Sequence, residues 1–107
     1  MKLIPAEIKR LYDFLKFKDK MYIKLRWKLC PFLLIEGFLP KKGKIIDVGC
    51  GYGLLANLIA LSSDEREVYG FDLDKRRIDI AKKSVKNRSN VHFEVKDVRD
   101  LKLNSCD

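Results

Sequence analysis

The sequence predicts an α/β fold: N-terminal helices, then a doubly wound parallel sheet truncated after its third strand. Three observations predict it. Apolar runs at residues 45–48, 68–71 and 91–95 have the length and β-branched or aromatic content of strands. Two stretches of helical periodicity separate them, and strand–helix–strand–helix–strand order implies parallel pairing through right-handed crossovers. A glycine-rich turn, Gly49 to Gly53, joins the first strand to the first of those helices, the place where such sheets hold a ligand.

At 107 residues the chain has room for one small domain, and 47% hydrophobic content suits a globular protein. No stretch reaches the ~20 apolar residues that span a bilayer, and no apolar leader precedes a small-residue cleavage site. The net charge of +8 is unevenly placed. Residues 1–44 hold 12 Lys and Arg against 4 Asp and Glu, whereas residues 45–107 hold 11 of each. Two parts follow: a basic helical segment, 1–43, and a neutral ligand-binding half-domain, 44–107. The cysteines Cys30, Cys50 and Cys106 are odd in number and widely spaced. That argues against a disulfide framework or zinc site and suits a reducing, cytoplasmic setting. No metal site is expected.

Residues 5–18 read as one amphipathic helix. Pro5 and Glu7 suit its first turn, and Ile8, Leu11, Tyr12 and Leu15 form its apolar stripe. Residues 20–29 fit a strand period or a helix; helix is the reading adopted, because an extended strand has no partner nearby. Pro31 interrupts it and opens a short helix ending near Gly37, and residues 40–43 form a loop. The strand at 45–48 leads through the glycine turn into a helix carrying Leu54, Leu55, Leu58, Ile59 and Leu61. Residues 62–67 are a polar loop, and the second strand follows, ending at Asp72. Asp74 caps the next helix, in which Ile78, Ala81 and Val85 face inward. Val91, Phe93 and Val95 alternate with His92 and Glu94, as in a strand with one wetter face. A loop over 96–103 follows.

The chemistry concentrates at Asp47-Val-Gly49-Cys50-Gly51-Tyr-Gly53. Glycines there permit positive φ and close approach of a ligand to the backbone. The helix that follows offers free N–H groups and a positive dipole end. The G-x-G-x-G spacing differs from the G-x-G-x-x-G of dinucleotide enzymes. Asp72 ends the second strand 25 residues after Asp47, where a carboxylate can accept two hydrogen bonds from a ribose diol. Asp97 follows the third strand after another 25 residues, so all three acids fall at the ligand edge of the sheet. Taken singly each has a plainer reading: a tight turn for the glycines, a helix cap for Asp72 or Asp74, a solvated loop acid for Asp97 or Asp100.

Together these segments resemble three ordered motifs of the class I S-adenosylmethionine (SAM)-dependent methyltransferases, whose fold is Rossmann-like. Residues 45–53 resemble the first motif, 68–74 the second and 93–98 the third. The resemblance implies SAM as cofactor. It implies that Asp47 and the backbone of Gly49, Cys50 and Gly51 hold its methionine part. Asp72 would take the ribose hydroxyls, Leu73 would pack on the adenine, Asp97 would accept from the adenine amino group, and Val98 would line the ring. The implied activity is methyl transfer to an unidentified acceptor; the alternative is a non-catalytic SAM-binding or partner-binding module.

In the family, acceptor-facing residues mostly follow the fourth strand, which lies beside the first. Residues 105–107 resemble the approach to that strand, so no catalytic residue is assigned and the chain is expected to be inactive alone. An unpaired first strand would invite self-association. The basic segment has two readings. One is a lid helix over the cofactor with a solvated basic face. The other is contact with anionic lipid or RNA through Lys20, Lys24, Arg26 and Lys28 beside Tyr22, Trp27 and Phe32.

Overall fold

The structure is a computed structural model that describes residues 4–97 and residue 99. Its elements are α1 (Ala6–Leu11), α2 (Phe17–Leu29), α3 (Phe32–Gly37), β1 (Gly43–Val48), α4 (Leu54–Ser62), β2 (Arg66–Asp72), α5 (Lys75–Val85) and β3 (Val91–Val95). The three strands form one parallel sheet in the order β1-β2-β3. The register sets Asp47 beside Gly70 and Asp72 beside Val95, so the acids of β1 and β2 emerge at the same edge.

Right-handed crossovers along this strand order place α4 and α5 on one face of the sheet. Between them and the strands lies one core cluster, with Ala56, Ile59, Ile78 and Ala81 against Val68, Val91 and Phe93. A second cluster joins the outer sides of α4 and α5 to the N-terminal helices through Ile8, Tyr12, Ile23, Trp27, Leu58 and Ile80. Glycine at position 70 is required by the first cluster: a Cβ there would stand 2.6 Å from the Phe93 ring. On the opposite face Tyr69 stacks on His92 at 4.9 Å. Among the described residues β1 pairs only with β2, leaving Val48 exposed.

Three boundaries depart from the sequence reading. The expected helix over 5–18 ends at Leu11, and an extended Lys16 precedes a separate helix, α2. The apolar stripe runs on through Leu15, so local pattern does not mark the break. The break lets Ile23 and Trp27 join the same cluster as Ile8 and Tyr12. The second departure is β2, which begins at Arg66 inside the expected 62–67 loop. Arg66 is fully buried: it donates to the carbonyls of Pro40, Ile59 and Leu39 and pairs with Glu36 of α3 at 2.9 Å. The third is β1, which starts at Gly43, two residues before the expected strand. Asp74 does cap α5, accepting from the Arg77 N–H at 3.2 Å.

Candidate functional site

A cleft of about 210 Å³ opens where β1 meets α4 and α2. Its walls include Asp47, Gly49, Cys50 and Gly51 on one side and Tyr22 and Arg26 on the other. The glycine loop forms because Gly49, Gly51 and Gly53 all adopt positive φ, at 74°, 57° and 89°. A Cβ on Gly49 or Gly51 would meet nothing within 4 Å, so both face open space. Gly53 differs: a Cβ there would lie 2.6 Å from the Phe93 ring and 3.3 Å from Ala81.

Asp47 is half-buried, and among the described residues its carboxylate takes part in no hydrogen bond or ion pair. Burial, with the nearby Asp72 charge, pushes its carboxyl up to about 6. Asp72 is engaged instead: its Oδ2 accepts from the Gly51 N–H and its Oδ1 from the Asp74 N–H, both at 2.9 Å. The Gly49 and Cys50 N–H groups both donate to the Phe71 carbonyl, at 2.7 and 3.0 Å. The N–H groups of Gly49, Cys50 and Gly51 are thus directed to Phe71 and Asp72 at the end of β2, and what remains for a ligand is room, carbonyl oxygen and the uncapped start of α4. Burial, with Asp47 and Asp72 nearby, pushes the Cys50 thiol up to about 12. Burial and the two carboxylates thus favour the protonated thiol over the thiolate.

Two networks hold the loop in place. From beneath, the buried Tyr12 hydroxyl donates to the Tyr52 carbonyl at 2.6 Å and accepts from Asn57 at 2.8 Å. Asn57 in turn donates to Ser84 at 2.9 Å. From the side, the Tyr52 hydroxyl donates to Asp19 of α2 at 2.6 Å and accepts from Arg76 at 3.0 Å. Arg76 closes the triangle on Asp19 at 2.8 Å. The Tyr52 hydrogen bond, helped by Arg76, holds the Asp19 carboxyl below its usual range. Tyr22 leans on the Tyr52 ring at a centroid distance of 5.1 Å.

The sequence-predicted residues divide accordingly. Asp47, Gly49, Cys50 and Gly51 share the cleft, and Asp72 joins them through Gly51. Leu73 is 69% exposed. Asp97 is gripped by Arg99, whose Nε lies 3.1 and 3.0 Å from its two carboxylate oxygens. Val98 lies outside the described residues, as do residues 105–107 and most of the 96–103 loop. Tyr22 and Arg26, which the sequence offers either to a lid helix over the cofactor or to an anionic partner, face the cleft, four residues apart on one side of α2. Trp27 and Phe32, read as surface aromatics, are buried with ring centroids 5.4 Å apart.

A parallel β-α-β-α-β unit with a glycine loop after its first strand defines a Rossmann-like α/β fold. Residues 45–107 match the family described as "Methyltransferase domain". The chain belongs to that family, the class I SAM-dependent methyltransferases. It is 34% identical over 67 residues to a putative methyltransferase, YqeM, of Bacillus subtilis, matching 63% of this chain and 26% of that protein. The chain spans between 25% and 29% of the length of the curated relatives it matches. Among solved structures, PKMT2 from Rickettsia typhi in complex with AdoHcy is similar with a TM-score of 0.53 and 29% identity. That match covers 67% of this chain and 16% of PKMT2. A TehB-like SAM-dependent methyltransferase from Corynebacterium glutamicum shares the fold at a TM-score of 0.60 and 23% identity, covering 94% of this chain and 50% of that one.

Proposed function

We propose that the chain binds SAM in the cleft and supplies the cofactor half of a methyltransferase whose acceptor is unidentified. The half-buried Asp47 carboxylate, facing the cleft without a hydrogen bond, carries this reading. Such a group is stabilised by a cationic ligand. SAM, when bound, supplies a methyl group already activated on a sulfonium. The chain's residues do the holding: Asp47 and the Gly49 carbonyl take the ammonium of the methionine part. Arg26 and the N-terminus of α4 take its carboxylate, since α4 starts at Gly53 without a side-chain cap. Asp72 exchanges its bond to Gly51 for the ribose hydroxyls. Leu73, Asp97 and Val98 complete the adenine side in this proposal, with Asp97 first released from Arg99. No catalytic residue is assigned.

Two further expectations have support in the surface. The edge of β1 that is unpaired among the described residues, with Val48 exposed, supports pairing with a second strand. The basic face of α2 supports an anionic partner. The free Cys30 and Cys50 favour a cytoplasmic setting, and no helix among the described residues is long and apolar enough to cross a membrane.

Calorimetric titration of the 107-residue chain with SAM and, separately, with NAD tests the cofactor assignment. Saturable heat with SAM and none with NAD is expected. Binding of NAD without SAM would overturn it.

A further inference from the structure

Helix α2 divides its length among three surroundings. Ile23 and Trp27 are buried in the core, and Tyr22 and Arg26 face the cleft. The remaining side carries Phe17, Met21, Leu25 and Leu29, spaced by four residues into one stripe. Each is between 50% and 76% exposed. A solvated helix face has no need of four large apolar side chains in a row. Lys18 and Lys28 stand on the same side, also exposed.

The charge around the stripe is one-signed. The only acid of α2, Asp19, is taken by Tyr52 and Arg76. None of the helix's five cations forms an ion pair with another described residue. An apolar stripe set among unpaired lysines matches a surface that is apolar within and anionic at its boundary. We propose that α2 lies flat on an anionic lipid surface through Phe17, Met21, Leu25 and Leu29, with Lys18 and Lys28 at the headgroups.

This differs from the residues that the sequence suggested for an anionic partner: Trp27 and Phe32 are in the core and Arg26 is in the cleft. Lipid is favoured over RNA because the exposed side chains between the lysines are mainly aliphatic. Stacking on unpaired bases needs exposed aromatic faces. The surface is independent of the cofactor assignment, since no residue of the stripe lines the cleft.

Cosedimentation of the chain with phosphatidylcholine vesicles, with and without phosphatidylserine and at low and high salt, is the test. Binding to the anionic vesicles that weakens with salt is expected. The double variant K18E/K28E should lower it by roughly tenfold or more, because each lysine near an anionic surface contributes measurably. L25S/L29S should lower it with the charge unchanged. All four residues are exposed, so both variants should keep the parent circular dichroism spectrum and the parent heat with SAM. Three outcomes would overturn the proposal. One is equal binding to neutral and anionic vesicles. Another is binding to single-stranded RNA with none to vesicles. The third is a concentration-dependent dimer abolished by L25S/L29S without vesicle binding. Loss of SAM binding in the parent chain alone would remove the cofactor assignment and leave this one standing.

Discussion

At the end of β1, Asp47 is half-buried with no partner among the described residues, and burial pushes its carboxyl up to about 6. Just past the end of β3, the Arg99 side chain grips Asp97 and holds its carboxyl below the usual range. Both acids sit at the carboxyl edge of the same parallel sheet. Topology therefore sets where an acid lies, and the next few residues set what it can do. After β1 the glycine turn leaves Asp47 half-buried in the cleft wall, with no ion pair among the described residues. After β3 the chain supplies Asp97 with its own cation two residues on. The first acid is prepared for a cationic ligand at some expense of stability. The second is already satisfied and must be released before it can serve another donor.

If glycine geometry makes the β1 end, substitution at Gly53 should break it first. Its φ is 89°, and a Cβ there would press on a Phe93 ring confined by Ala81 and Gly70. Left-handed backbone strain and overpacking together put Gly53→Ala at about 3 kcal/mol of destabilisation. Urea denaturation measures it; a loss below about 1 kcal/mol would mean that the ring yields freely and the loop is less rigid than its contacts imply.

The next effect has the opposite sign. An Asp with a carboxyl near 3.8 when unfolded and about 6 when folded binds its proton more tightly in the native state. Stability from this group is therefore full below the unfolded value and is lost as pH rises from about 4 to about 6. Asp47→Asn removes the penalty and should stabilise the ligand-free chain by about 2 kcal/mol at pH 7, with little change at pH 3.5. The same variant should lose most of its heat with SAM. Denaturation across this pH range checks the sign, and destabilisation at pH 7 would show that Asp47 has a stabilising partner.

Much of this arrangement is legible in the sequence because it is local. The alternation of strands and helices shows in hydrophobic period, and the glycine turn and the Asp74 cap show in residue type and spacing. What is not legible depends on distant packing. The break before α2 leaves the Ile8–Leu11–Tyr12–Leu15 stripe intact, so only the docking of Ile23 and Trp27 reveals it. Arg66 reads as a loop cation until the carbonyls of Leu39, Pro40 and Ile59 gather around it. The sequence leaves α2 as a lid over the cofactor or a basic surface, because nothing in the neighbours of Tyr22 and Arg26 says which side of the helix meets the glycine loop. Even at the motif itself, residue identity does not show that the N–H groups of Gly49, Cys50 and Gly51 are directed to Phe71 and Asp72.

The smallest effect is expected at the other end of the comparison. Asp97, 22% exposed, pairs with an Arg99 side chain that is 85% exposed, and a pair this open on one side contributes little because water and salt screen it. Asp97→Asn should leave the melting temperature unchanged and should not alter how stability varies between pH 4 and 6, in contrast to Asp47→Asn. Its effect on SAM should also be the weaker of the two, a loss of severalfold. The neutral amide keeps a carbonyl acceptor for an adenine amino group, whereas no neutral group at position 47 replaces the charge that an ammonium needs. Differential scanning calorimetry paired with SAM titration measures both quantities on one sample. A melting shift of several degrees would mean that Asp97 is held by more than Arg99, and the contrast between the two strand ends would then be one of partner rather than of burial.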